Sequence, residues 1–126
     1  MFMKTNIKAT NITITPAISE YIEKKLESVT KYFKNLEEVV INIEVGKSTR
    51  HHKQGDVFLA ELHVINGGQD YYVQAHKEDL YAAIDEAKDD LIREMSSRRK
   101  RALRLVRRGG VRLKNMIKNL NPWRSR

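Results

Sequence analysis

The chain has 126 residues, with 24 Lys and Arg against 16 Asp and Glu, a net charge of +8, 40% apolar residues and no cysteine. That suffices for one core of ordinary size, but it excludes a disulfide framework and a thiolate metal site, and no apolar run is long enough to span a bilayer. The N-terminal ten residues carry neither the apolar run of a signal peptide nor the arginines of a transit peptide, so a soluble cytoplasmic protein is expected. Met3, Thr5, Ile7 and Ala9 alternate with Lys4, Asn6 and Lys8, which predicts a short strand with one wet face. Thr15-Pro16 offers a hydroxyl N-cap and a proline at the first helical position. Ile18, Ile22, Leu26, Val29 and Phe33 follow at helical spacing, predicting helix one from Pro16 to Lys34. Val39, Ile41, Ile43 and Val45 alternate as a second strand. A polar loop, Gly46 to Gly55, leads to a third from Asp56 to Ile65, and Asn66-Gly67-Gly68 turns that strand into a fourth, Tyr71 to His76. From Glu78 the period becomes helical again, with Leu80, Ile84, Ala87, Leu91 and Met95 on one stripe and no breaker before Gly109-Gly110.

The order is β-α-β-β-β-α. Each helix offers one apolar stripe and each strand mainly one apolar face, so the expected fold is an α+β two-layer sandwich, a four-stranded sheet with two helices on one face. Helix two is too long for such a sheet, and its second half must project or bend.

Charge is distributed unevenly along this plan. Between Arg93 and Arg126 lie 13 of the 24 bases, with Glu94 the only acid, whereas residues 1–92 hold more acids than bases. A nearly neutral body with a cationic arm points to a polyanion, nucleic acid first and an anionic membrane surface second. The densest part is Arg98-Arg99-Lys100-Arg101 followed by Arg104, Arg107 and Arg108, with almost no acid within one turn. Beyond Gly110, Val111, Leu113, Met116, Ile117 and Leu120 interleave with bases until Asn121-Pro122. Leu103, Leu105 and Val106 add to this basic amphipathic pattern, which also suits a membrane surface, but the double glycine interrupts any continuous helix.

Ile14-Thr15-Pro16-Ala17-Ile18, Lys25-Leu26, Lys31-Tyr32-Phe33, the Asn66-Gly67-Gly68 turn and above all Glu78-Asp79-Leu80-Tyr81-Ala82-Ala83-Ile84-Asp85 resemble the ribosome hibernation-promoting factor family, which includes ribosome-associated inhibitor A. The resemblance covers residues 4 to about 101. It implies a domain similar in outline to double-stranded-RNA-binding domains, lodged in the decoding cleft of the small ribosomal subunit. There it would hold rRNA through basic residues of both helices and compete with mRNA and tRNA. The expected rRNA-binding set is Lys24, Lys25 and Lys31 on helix one, and Lys88, Arg93, Arg98, Arg99, Lys100, Arg101, Arg104, Arg107 and Arg108 on helix two. Among these, Lys25, Arg93, Arg99 and Arg101 match basic positions of the family pattern. Asp90 stands where the family usually has lysine, and Ser19 and Ser28 replace frequent bases of helix one. The resemblance divides the chain into a ribosome-binding domain, 1–101, and a basic tail, 102–126. Longer members carry a further dimerisation domain, for which 25 residues are too few, so no self-dimerisation domain and no stable membrane association are expected.

Other readings of single features are plainer. The helix-one bases alternate with Glu20, Glu23 and Glu27 and, taken alone, read as a solvated face with i,i+4 pairs. His51, His52 and His63 do not form a zinc pattern, and the acids Asp85, Glu86, Asp89 and Asp90 lack a nucleophile or phosphate cradle beside them. Tyr71, Tyr72 and Tyr81 belong to the core or its rim. No enzyme activity, cofactor or metal is expected. The function expected is translation silencing on small-subunit rRNA, with a generic structured-RNA module or a tail-anchored membrane-surface protein as alternatives.

Overall fold

A computed structural model describes residues 3–33, 35–48 and 57–109. The expected helix end at Lys34, the loop histidines His51 and His52, and the tail from Gly110 with its apolar positions and Trp123 lie outside the described residues.

The observed elements are β1 (Lys4–Thr10), α1 (Pro16–Glu27), β2 (Val39–Ser48), β3 (Val57–Asn66), β4 (Gln69–Lys77) and α2 (Leu80–Gly109), with single 3-10 turns at Thr30–Tyr32 and Leu36–Glu38. The α+β order is the one expected. The sheet runs β1-β2-β3-β4, with β1 parallel to β2, Ile7 opposite Ile43, and the other pairs antiparallel. A parallel pair cannot be joined by a tight turn, and α1 supplies the crossover. Asn66 pairs with Gln69, leaving Gly67 and Gly68 as the two-residue hairpin turn, and Gly67 takes the left-handed φ of 63° that such a turn requires.

Alternation decides the layers. Val39, Ile41, Ile43 and Val45 of β2, Ala60, Leu62 and Val64 of β3, and Tyr71 and Ala75 of β4 are buried on one face. They meet Ile22 and Leu26 of α1 and the α2 stripe of Leu80, Ala83, Ile84, Ala87, Leu91 and Met95 in a single cluster. Both helices therefore lie on the same face, as expected.

Several boundaries differ from the sequence reading, β4 for one running from Gln69 to Lys77. Helix one stops at Glu27 rather than near Lys34 because hydroxyls take its last carbonyls: Ser28 Oγ donates to Lys25 O at 2.6 Å and Thr30 Oγ1 to Glu27 O at 2.8 Å. Val29 and Phe33 remain buried through the turn that follows. Helix two begins at Leu80 because Asp79 caps it, its Oδ2 accepting from Ala82 N at 3.0 Å. β2 runs on to Ser48, three residues into the expected loop, since Gly46 to Ser48 still pair with β3.

At 1.5 Å per residue α2 is about 45 Å long, whereas the nine residues of β4 span about 30 Å. The helix follows the sheet to its hairpin end and continues beyond it, where Leu103 and Leu105 are 38% and 44% exposed. Leu62 sits fully inside this core. Leu62→Ala is expected to cost about 3 kcal/mol, lowering the urea midpoint with little change in slope.

Candidate nucleic-acid interface

Helix α2 carries two faces from one periodicity. At 100° per residue, Leu80, Ile84, Leu91, Met95 and Ala102 point to the sheet, while Arg93, Lys100, Arg101, Arg104, Arg107 and Arg108 cluster on the opposite side and are exposed. This outward stripe is about 22 Å long by helix rise. Among the described residues Lys100, Arg101, Arg104, Arg107 and Arg108 form no ion pair, whereas Arg93 is paired with Asp90 one turn earlier. The N-terminal half of the same face is acidic or neutralised, with Glu86 held by Lys77 at 2.9 Å and Asp89 by Lys88 at 2.7 Å. Uncompensated positive charge thus begins only where the helix nears the end of the sheet.

The remaining expected residues fall into other settings. Lys88 is only 19% exposed, Arg98 is half-buried against β4, and Arg99 is exposed. Lys24 lines a groove between α1 and β1 together with Glu20, Glu23 and Glu27, and Lys31 lies over the Tyr32 ring at 5.5 Å. Lys25 turns toward α2, its Nζ 3.1 Å from Asp85 Oδ1 and 5.2 Å from the Tyr21 ring centroid. The set is therefore not one continuous patch. Its largest coherent part is the distal α2 stripe.

Asp85 joins the two helices. The sequence places it on a solvated acidic face, but its Oδ1 accepts from Tyr21 Oη at 2.7 Å as well as pairing with Lys25, and Tyr21 packs edge-on against Tyr81 at 4.7 Å between centroids. Burial, then the Asp85 hydrogen bond and charge, push the Tyr21 phenol up to about 12. Burial alone would raise the Asp85 carboxyl, yet the Tyr21 hydrogen bond, Lys25 and Lys88 outweigh it and hold the group below its ordinary value. The one sequence signal for this clamp is the i,i+4 spacing of Tyr21 and Lys25 beside the buried Ile22 and Leu26.

The open face of the sheet is polar and internally bonded. Asn6 donates to Asn42 at 2.8 Å, Thr10 to Glu44 at 2.8 Å and Gln74 to Glu61 at 3.0 Å, and His63 contacts Asp70 at 3.3 Å. Its carboxylates disfavour phosphate, so a polyanion is directed to the helical side. Among the described residues no three His, Asp or Glu side chains converge as metal ligands, and no helix is long and apolar enough to cross a membrane.

This arrangement coincides with a known one. A family model described as sigma 54 modulation protein / S30EA ribosomal protein matches residues 5–103. The chain belongs to that family. Two ribosome hibernation promoting factors, from Klebsiella oxytoca and Escherichia coli strain K12, are each 34% identical over 94 residues, covering 75% of this chain and 90% of theirs. The N-terminal domain of Thermus thermophilus Protein Y superposes with a TM-score of 0.60 at 31% identity, over 72% of this chain and 91% of that one. A ribosomal subunit interface protein from Coxiella burnetii shares the fold, with a TM-score of 0.62 at 22% identity, over 75% of this chain and 96% of its own. Membership places the chain among ribosome hibernation and translation-inhibition factors. The S30EA match ends at residue 103, within α2, so Arg104, Arg107 and Arg108 extend the stripe past the shared segment.

The interhelical clamp sets a titration signature for this S30EA domain. Tyr21 has a folded pKa above the ordinary value of about 10, so its contribution to stability is complete below pH 10 and lost as pH rises toward 12. Asp85 is depressed, so its contribution is present above about pH 4 and lost as pH falls below that. Burial likewise raises Tyr71 to about 12, against the opposing pull of the Arg98 charge. An ultraviolet titration is expected to show two phenols ionising near 12. Tyr21→Phe should remove one of them, and Asp85→Asn should move that one down toward 10.

Proposed function

We propose that the chain silences translation by docking α2 on small-subunit rRNA in the decoding cleft, where the folded body occupies space needed by mRNA and tRNA. The single observation that carries this reading is the outward stripe of Lys100, Arg101, Arg104, Arg107 and Arg108, unpaired among the described residues and carried on α2, a helix that begins within the family match and runs past its end. The names of the hibernation-factor relatives and of the subunit interface neighbour support it. The mechanism needs charge and shape alone. Each guanidinium or ammonium that replaces counterions on a phosphate contributes sequence-independent affinity, and A-form RNA is read largely through its backbone and shape. The clamp of Tyr21, Lys25 and Asp85 keeps α1 against α2, so the inserted body is one rigid wedge. Such a factor acts where ribosomes are, in the cytoplasm, and its division into a ribosome-binding body and a basic tail belongs to the same proposal.

Co-sedimentation with separated ribosomal subunits tests this, beside a structured duplex RNA and a liposome control. Binding is expected to the small subunit preferentially, weakening by about 0.7 to 0.9 log unit per tenfold salt for each phosphate contacted. Arg101→Gln and Arg104→Gln should each lower that slope by about one contact. The double charge reversal Lys100→Glu with Arg104→Glu should relieve inhibition in a cell-free translation assay. Equal binding to both subunits and to arbitrary duplex RNA would overturn the decoding-cleft assignment in favour of a generic RNA module, and liposome binding without subunit binding would assign the cationic helix to a membrane surface.

A further inference from the structure

Within the run Arg98-Arg99-Lys100-Arg101 the residue that turns inward is Arg98, which continues the sheet-facing stripe of Leu91 and Met95 and is followed there by Ala102. Its guanidinium lies 4.2 Å from the centroid of the Tyr71 ring, its Nε donates to Glu94 Oε2 at 3.1 Å, and its Nη1 donates to Gln69 Oε1 at 3.4 Å. Tyr71 is fully buried, and Gln69 is the first residue after the β3–β4 hairpin turn. Arg98 therefore ties α2 to the sheet near its hairpin end, shortly before the helix extends past the strands.

The basic segment that follows gains from such a tie. Lys100, Arg101, Arg104, Arg107 and Arg108 place like charges three and four residues apart, each pair costing about 0.2 to 0.5 kcal/mol of helix stability. A helical stretch this short is marginal in water unless it propagates from a turn that is already fixed. A guanidinium stacked on an aromatic face and forked between two side-chain oxygens fixes that turn, with its planar face covered and two of its donors engaged.

We propose that Arg98 is a positioning residue: stacked on Tyr71, it anchors α2 at the hairpin end of the sheet and steadies the outward basic stripe for rRNA phosphates without contacting phosphate itself. The proposal rests on the RNA-docking reading above for its consequence, but the anchoring can be measured without RNA.

The experiment compares Arg98→Ala, Arg98→Lys and Arg101→Ala by amide hydrogen exchange and by binding to purified small ribosomal subunits over a potassium chloride series. For Arg98→Ala, amides of residues 99–106 are expected to exchange at least tenfold faster while those of β2 and β3 are unchanged. Subunit affinity should fall about three- to tenfold, with the salt slope unchanged. Arg98→Lys, which keeps a cation over the ring, should recover most of the protection and affinity. Arg101→Ala should do the reverse, lowering the slope by about 0.7 to 0.9 without altering exchange. A slope lowered by Arg98→Ala with exchange unchanged would make Arg98 a phosphate contact and overturn the inference. Faster exchange throughout the sheet would make it an ordinary core contact and overturn it as well. An Arg101→Ala slope equal to the parent's would instead defeat the RNA-docking reading, leaving the exchange result to decide the anchoring. If Arg98→Ala does not fold, Arg98→Met, which covers the ring without charge, takes its place. An unchanged slope then supports the proposal and a lowered one overturns it.

Discussion

Everything in this domain depends on one packing constraint: α2 has a single apolar stripe, and that stripe is longer than the sheet it covers. Leu80, Ile84, Leu91 and Met95 bury against β3 and β4, and this contact fixes the rotation of the helix about its own axis. Once rotation is fixed, the direction of every other α2 side chain follows from 3.6 residues per turn. The core therefore aims the outward bases. A basic stripe on a mobile helix would lose orientation with each rotation, whereas the rotation of this one is set by residues that are among the most buried in the protein.

The second consequence is electrical. Among the described residues acids lie on the open sheet face, on α1, in the turns before β2 and α2 and in the first half of α2, and most of the α2 acids are neutralised locally by Lys77, Lys25, Lys88 and Arg93. Exposed ion pairs of this kind contribute little stability, at most about 1 kcal/mol each. Their larger effect is on the field. They cancel charge near the body, so that the unbalanced positive potential begins near the hairpin end of the sheet and grows outward. A polyanion approaching the molecule meets attraction at one end and near neutrality or repulsion elsewhere, which orients the encounter before contact.

How much of this was legible in the sequence varies with the range of the interaction. Strand and helix order came from periodicities of 2 and 3.6, which the layered core enforces on both partners, and the hairpin from a glycine pair that the positive φ at Gly67 explains. The early end of α1 was not legible because Ser28 and Thr30 act by hydrogen-bonding carbonyls of the helix itself, while the apolar spacing of Val29 and Phe33 continues as if the helix did. Asp85 looked solvated because its partners Tyr21 and Lys25 lie 64 and 60 positions away. Arg98 was hidden differently. Four consecutive bases read as one electrostatic feature, and only the phase of the helix relative to the sheet separates the one that faces Tyr71 from the three that are exposed.

That phase separation also decides which of two opposed salt effects dominates. Screening relieves self-repulsion along the stripe, where Lys100, Arg101, Arg107 and Arg108 each neighbour Arg104 within one turn; four such pairs amount to about 1 to 2 kcal/mol at low ionic strength, only part of which added salt returns. Screening also weakens phosphate contacts. Five of them between 50 and 200 mM salt correspond to a loss of roughly 3 to 4 kcal/mol by counterion release. The second effect is the larger, so salt should reduce binding even while it steadies the helix that performs it. The stripe is consequently best organised for RNA when phosphates themselves do the neutralising, and a helix already anchored at its base has little ordering entropy left to lose at that moment.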